Sequence, residues 1–182
     1  MKRFIYVILI LCWGFFLTGC MGNKTAQEAV SDYLEMYVTL DSKVIDQLNE
    51  FVDNEDLTEE QKVVYKDILR KQYSTMTYTI LDETYDGETA YVKTKIQVRD
   101  LYKVQKESLN YFNNHKNEFN DENGVYDKSL FLDYKLGEMK NADEMNSYEI
   151  EFKVVKDGSN YEVTQLSNED LEKIHGIYNY EE

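Results

Sequence analysis

Only two cysteines and two histidines occur in the 182 residues, so thiol and imidazole chemistry has few places to reside. Cys12 lies inside an apolar run, and Cys20 closes the stretch Leu17-Thr18-Gly19-Cys20 directly behind it. His115 shares helical spacing with Phe112 and Phe119, which predicts a buried imidazole with satisfied hydrogen bonds rather than a metal ligand. Carboxylates are abundant, and two clusters, Asp53 to Asp56 and Asp121 to Asp127, could attract a cation weakly. The Asp121 cluster has some of the features of a calcium loop. Setting Gly124 at the sixth loop position puts Phe119 first and Leu130 twelfth, where oxygen ligands are required, so an EF-hand is excluded. There is no Gly-x-Ser-x-Gly and no phosphate-cradling glycine-rich loop. The sequence thus predicts neither a resident metal nor a cofactor.

Tyrosine offers more. The chain holds 16 tyrosines and 8 phenylalanines. Val92, Thr94 and Ile96 fall on one side of a strand pattern, as do Tyr148, Ile150 and Phe152 of another, because side chains alternate with period two. These rows are apolar with hydroxyl groups interspersed. That is the makeup of a small-ligand pocket, and equally of an ordinary sheet–helix core. The expected pocket is this double row, with an open end near Tyr78, Tyr148 and Tyr161. Asp100 and Gln165 are the further polar groups that could reach the same side.

The elements that must position these rows follow from periodicity. Thr25-Ala26-Gln27-Glu28 reads as a capping box. Behind it Ala26, Ala29, Val30, Tyr33, Leu34 and Tyr37 form one helical stripe ending near Leu40. Asp41-Ser42 opens a second helix lined by Val44, Ile45, Leu48, Phe51 and Val52. Thr58-Glu59-Glu60-Gln61 caps a third, through Val63, Val64, Ile68 and Leu69. From Tyr73 the period becomes two, with Met76, Tyr78 and Ile80 inside and threonines on the wet face. Asp86-Gly87 is a hairpin turn. A long strand follows, with Ala90 to Val98 inward and Tyr91, Lys93, Lys95, Gln97 and Arg99 outward. Helical spacing returns at Leu101, Val104, Tyr111, Phe112, His115 and Phe119. A polar loop then leads to a shorter helix over Ser129 to Lys140. A second hairpin turns at Asp157-Gly158, and Ser167 caps a final helix carrying Leu171, Ile174 and Tyr178. Helices segregated from antiparallel strands predict an α+β fold, as one domain over residues 25–182 with a helical insertion at about 101–140.

Composition narrows the partners. The net charge is −15, and becomes more negative if Lys2 and Arg3 are removed. That excludes nucleic acid, which needs a basic face. It also argues against a body lying flat on anionic lipid, although charge repulsion is screened beyond about 8 Å at physiological salt. Proline is absent from the chain, so no proline-rich spacer is available.

Leu17-Thr18-Gly19-Cys20 resembles the lipobox of bacterial lipoproteins. Lys2 and Arg3 supply a positive n-region, and Phe4 to Phe16 an apolar run of signal-peptide length, too short to span a bilayer as a helix. The resemblance implies that residues 1–19 are removed and that Cys20 receives a diacylglyceryl group. Two acyl chains hold a protein firmly where one does not. Residues 20–24 would be the lipidated tether. Met21 to Lys24 reach at most about 14 Å fully extended, so the body would sit close to the extracytoplasmic face of the cell membrane. The order of helices and hairpins resembles the nuclear-transport-factor-2-like or cystatin-like fold, in which a curved sheet wraps a helix into a cone. The order looks especially like that of the small bacterial lipoproteins of that class, and the expected function is a non-enzymatic module whose cone binds a small apolar ligand or an envelope protein. The same superfold holds ketosteroid isomerase, which implies the alternative of an enzyme on the concave face. It needs a base carboxylate in an apolar cavity, and no aspartate here aligns with that base. A purely structural interaction module is the third possibility.

Overall fold

The computed structural model describes residues 24–181. Cys20, the leader and the tether before Lys24 lie outside the described residues. Among those described, no helix is long and apolar enough to cross a membrane. The fold is α+β: three helices, a hairpin, a helical insertion, a second hairpin and a last helix.

Helix α1 spans Ala26–Val38, α2 Ser42–Asp53 and α3 Glu59–Ser74. Both capping boxes form. The Thr25 hydroxyl accepts from the Glu28 N–H at 3.2 Å, while the Glu28 carboxylate accepts from the Thr25 N–H at 2.8 Å. Thr58 and Gln61 repeat the exchange at the start of α3. The Gln61 amide also donates to the Asp133 carboxylate at 2.8 Å, tying α3 to the insertion. Tyr73 closes α3 rather than opening a strand, because the helix runs on to Ser74 and the extended backbone starts at Thr77.

Strands β1 (Thr77–Asp86), β2 (Thr89–Arg99), β3 (Met145–Asp157) and β4 (Asn160–Val163) form one antiparallel sheet in the order β1-β2-β3-β4. Turning at Gly87 (φ 61) and Gly158 (φ 61) needs the left-handed backbone that glycine adopts at no steric cost. The register shifts between Ile80 and Asp82. Leu81 is the extra residue of a bulge, so the row of β1 that begins with Tyr78 and Ile80 continues at Glu83 and the exposed Tyr85, which pair with Val92 and Ala90. The inner face packs on α1 and α3 around Val30, Leu34, Ile68, Leu69, Ile96, Ile150, Phe152 and Val154. The outer face is charged, with Lys93 and Glu149 paired across β2 and β3 at 2.7 Å. The helical insertion leaves from the Arg99 end of β2 and returns at Met145, opposite the two hairpin turns.

Strand alternation puts Arg99 on the wet face, but the residue is only 2% exposed. Its guanidinium donates to the carbonyls of Ala142 at 2.7 Å and of Met139 and Lys140 at 3.1 Å. Those carbonyls end the second insertion helix, where a cation suits the helix dipole. Gln72 lies flat against the same peptide: its amide donates to the Arg99 carbonyl and accepts from the Arg99 N–H, both at 3.2 Å.

The insertion comprises α4 (Leu101–Asn114), a short 3-10 turn (Lys116–Phe119) and α5 (Lys128–Asn141). Its own small core is aromatic, with Phe112 and Phe131 4.9 Å apart and Phe119 edge-on to Phe131 at 5.7 Å. Here the expectation for His115 is overturned. Helix α4 ends at Asn114, and His115 is its exposed C-cap, stacked on Tyr111 at 4.0 Å. The stripe that joins His115 to Phe119 in the sequence belongs to two elements, not one. The final helix, α6, spans Asn168–His175 and stops at the left-handed Gly176.

Candidate functional site

A cleft of about 450 Å³ opens where α1, α2, α3 and α6 meet the segment following β4. Helix α1 contributes Tyr33 and Tyr37, one turn apart on its apolar stripe. Helix α2 contributes Val44, Gln47, Leu48 and Phe51, and α3 contributes Tyr73. Val163, Thr164, Gln165 and Leu166 form the opposite wall, with Leu171 and His175 of α6 closing the end. The lining holds no carboxylate, lysine or arginine, although 30% of the chain is charged.

The aromatic rings make a continuous wall. Tyr33 and Tyr37 lie 5.6 Å apart, and Tyr37 meets Tyr73 edge-on at 5.1 Å. Phe51 stacks on the His175 imidazole at 5.0 Å and 9°. Polar groups are paired within that wall. The Tyr33 and Tyr37 hydroxyls share a hydrogen bond of 3.3 Å, and Tyr73 Oη shares one of 2.7 Å with His175 Nδ1. Burial pushes His175 down to about 4, so the imidazole is neutral at pH 7. Burial also raises the phenols of Tyr33, Tyr37 and Tyr73, keeping them protonated. At the mouth, Gln47 and Gln165 are exposed. The site can therefore offer ring faces, neutral hydroxyls and side-chain amides, and no fixed charge.

The sequence-predicted pocket residues lie elsewhere. Val92, Thr94, Ile96 and Phe152 are fully buried, and Ile150 nearly so, in the core between sheet and helices. The Thr94 hydroxyl has no hydrogen-bond partner there. Tyr78 and Tyr148 flank Ile96 in one cross-strand row, but Tyr161 pairs with Lys156 near the hairpin turns at the far end of the sheet. The three rings do not converge. Tyr78 donates to the Ser31 carbonyl at 3.3 Å, Tyr148 packs edge-on against Tyr178 at 5.7 Å, and Tyr161 meets Tyr85 at 6.0 Å. Burial pushes the Tyr148 phenol up to about 12. Asp100 also has a structural post: it caps α4 through the Lys103 N–H at 3.0 Å and accepts from Tyr180 at 2.9 Å. Of the pocket candidates weighed from the sequence, Gln165 alone lines the cleft.

The acidic clusters are engaged within the chain. Asp53 binds Lys66 at 2.7 Å, Asp56 pairs with Lys128, and the Asp121 carboxylate accepts from the N–H groups of Asn123 and Val125 at 2.8 and 2.9 Å. Tyr33, Tyr37 and Phe51 are legible in the sequence as stripe residues, but helical spacing assigns them to core without saying that a gap separates them from Gln165. Compared with protein-family models, with curated proteins and with solved structures, the chain matches none.

Proposed function

We propose that this chain is a lipid-anchored extracytoplasmic module that binds a small neutral ligand in the aromatic cleft and does no chemistry on it. Cys20 carries the diacylglyceryl group, and the body stands next to the membrane on a short tether. The domain is of the nuclear-transport-factor-2-like or cystatin-like kind. Supporting that reading, α1 lies across all four strands of an antiparallel meander.

One observation carries the choice of ligand. The cleft wall excludes charge in a chain whose net charge is −15. A charged ligand would lose its hydration there and meet no counter-charge. A neutral molecule keeps its apolar surface on the rings and its polar groups on Gln47, Gln165 and Thr164, the usual division of labour in a ligand pocket. An isomerase-type site would need a base carboxylate in the cavity, and this lining holds none.

Native mass spectrometry of protein extracted from its own membrane tests the proposal. The expected spectrum shows an added neutral mass that is released on unfolding. Gln47→Trp combined with Gln165→Trp plugs the mouth from exposed positions and removes that mass without lowering Tm. A chain that carries nothing, and takes up no neutral compound from a fragment library by NMR, would sink the reading.

A further inference from the structure

Another cleft, of about 480 Å³, lies between α3, α5 and the chain after α6, and it differs from the first in kind. Its floor is Leu57, Leu132, Leu136 and Met139. Two hydrogen-bond donors open onto this floor without a partner among the described residues. One is Lys135, the one lysine described that is at least partly buried and makes neither an ion pair nor a hydrogen bond. The other is the hydroxyl of Tyr65, a residue only 9% exposed.

In a chain with 35 acidic and 20 basic side chains, a partly buried lysine with no carboxylate in ion-pair contact is unusual. The neighbouring Lys128 is already held by Asp56. Glu55, Asp56 and Glu172 also line the cleft, and all three are exposed. Burial lowers the pKa of Lys135, with Glu55 opposing and Lys128 reinforcing that shift. Burial therefore disfavours the ammonium form, which a carboxylate in direct contact would restore.

We infer that this cleft binds a small monocarboxylate, its anionic head on Lys135 and Tyr65 and its apolar body on the leucines and Met139. The chemistry follows from the donors. An ammonium and a phenol hydroxyl both donate, and a carboxylate is acceptor-only with room for both. The site shares only Phe51 with the aromatic cleft and takes a ligand of opposite character.

Phenylacetate is a suitable probe, with phenylacetamide as its neutral counterpart. Binding is measured by NMR titration of the full-length chain in lipid nanodiscs. Phenylacetate is expected to bind at least about tenfold more tightly than the amide, as a charge-assisted hydrogen bond gives. Lys135→Met, which keeps the stem, should abolish that preference, and Tyr65→Phe should reduce it. Lys153→Met, on the outer face of the sheet, should leave it intact. The Lys135 Cε resonance should titrate at higher pH once phenylacetate is bound. Equal binding of acid and amide, binding unchanged in Lys135→Met, or no binding at millimolar phenylacetate would each overturn the assignment.

Discussion

His175 sits where an imidazole can stay in place only if it stays neutral. It stacks on Phe51, bonds to Tyr73 and has its pKa pushed by burial from 6.5 to about 4. Between those values the unfolded chain binds a proton that the folded chain refuses, so stability rises with pH across that window and falls as pH drops through it. The full loss is about 3 kcal/mol, complete near pH 4. His175→Phe keeps the stack and removes the titration. Urea unfolding at pH 4.5 and 7 should show the wild type losing more stability than the variant, and equal losses would refute the assignment of a neutral buried ring. Thr94 argues the other way. Its buried hydroxyl has no partner, and valine has the same shape without the polar atom. Thr94→Val should leave stability unchanged or raise it by about 1 kcal/mol, whereas a drop of that size in chemical denaturation would mean that an ordered water serves the hydroxyl.

Elements meet tightly where α6 ends. Gly176 has φ 74, and a Cβ there would stand 2.2 Å from Gln72 Nε2 and 2.3 Å from the Arg99 carbonyl. Neither neighbour can yield, since each binds the other. Gly176→Ala should cost about 3 kcal/mol or more, through strain and a broken Gln72–Arg99 pair; a Tm unchanged from wild type would show that the junction is loose. This junction also marks where reading the sequence stops. Period and caps reveal the helices, both hairpins and the wet threonines of β1, because each is a local preference. Arg99 continues the outward row of β2, and nothing local says that the end of α5 folds over it. His115 fails for a related reason: spacing links it to Phe119, but the helix breaks between them. The aromatic cleft is out of reach because it depends on how far α2 stands from the segment after β4, a distance that no single element encodes.

At the scale of the molecule, the anchor and the body can be tested apart. Cys20→Ala should abolish lipid attachment and processing after Gly19, as intact mass of membrane-extracted protein would reveal. A wild-type chain found unmodified, or cut elsewhere, would remove the anchor from the account. The body has its own large-scale feature. The Lys24 N–H reaches the Asn160 side chain across 136 residues, and α1 packs on β4, so the first helix of the described chain rests on its last strand. Contacts so distant in sequence form late, because a long loop must close before they stabilise anything. A nascent chain emerging with its N-terminus first holds Ala26, Val30 and Leu34 on a helix whose floor stays incomplete until β4 has been synthesised. The ribosome must release nearly the whole polypeptide before this fold can close. The export proposed above requires a chain that has not yet closed, and a last strand that completes the floor of the first helix delays that closure.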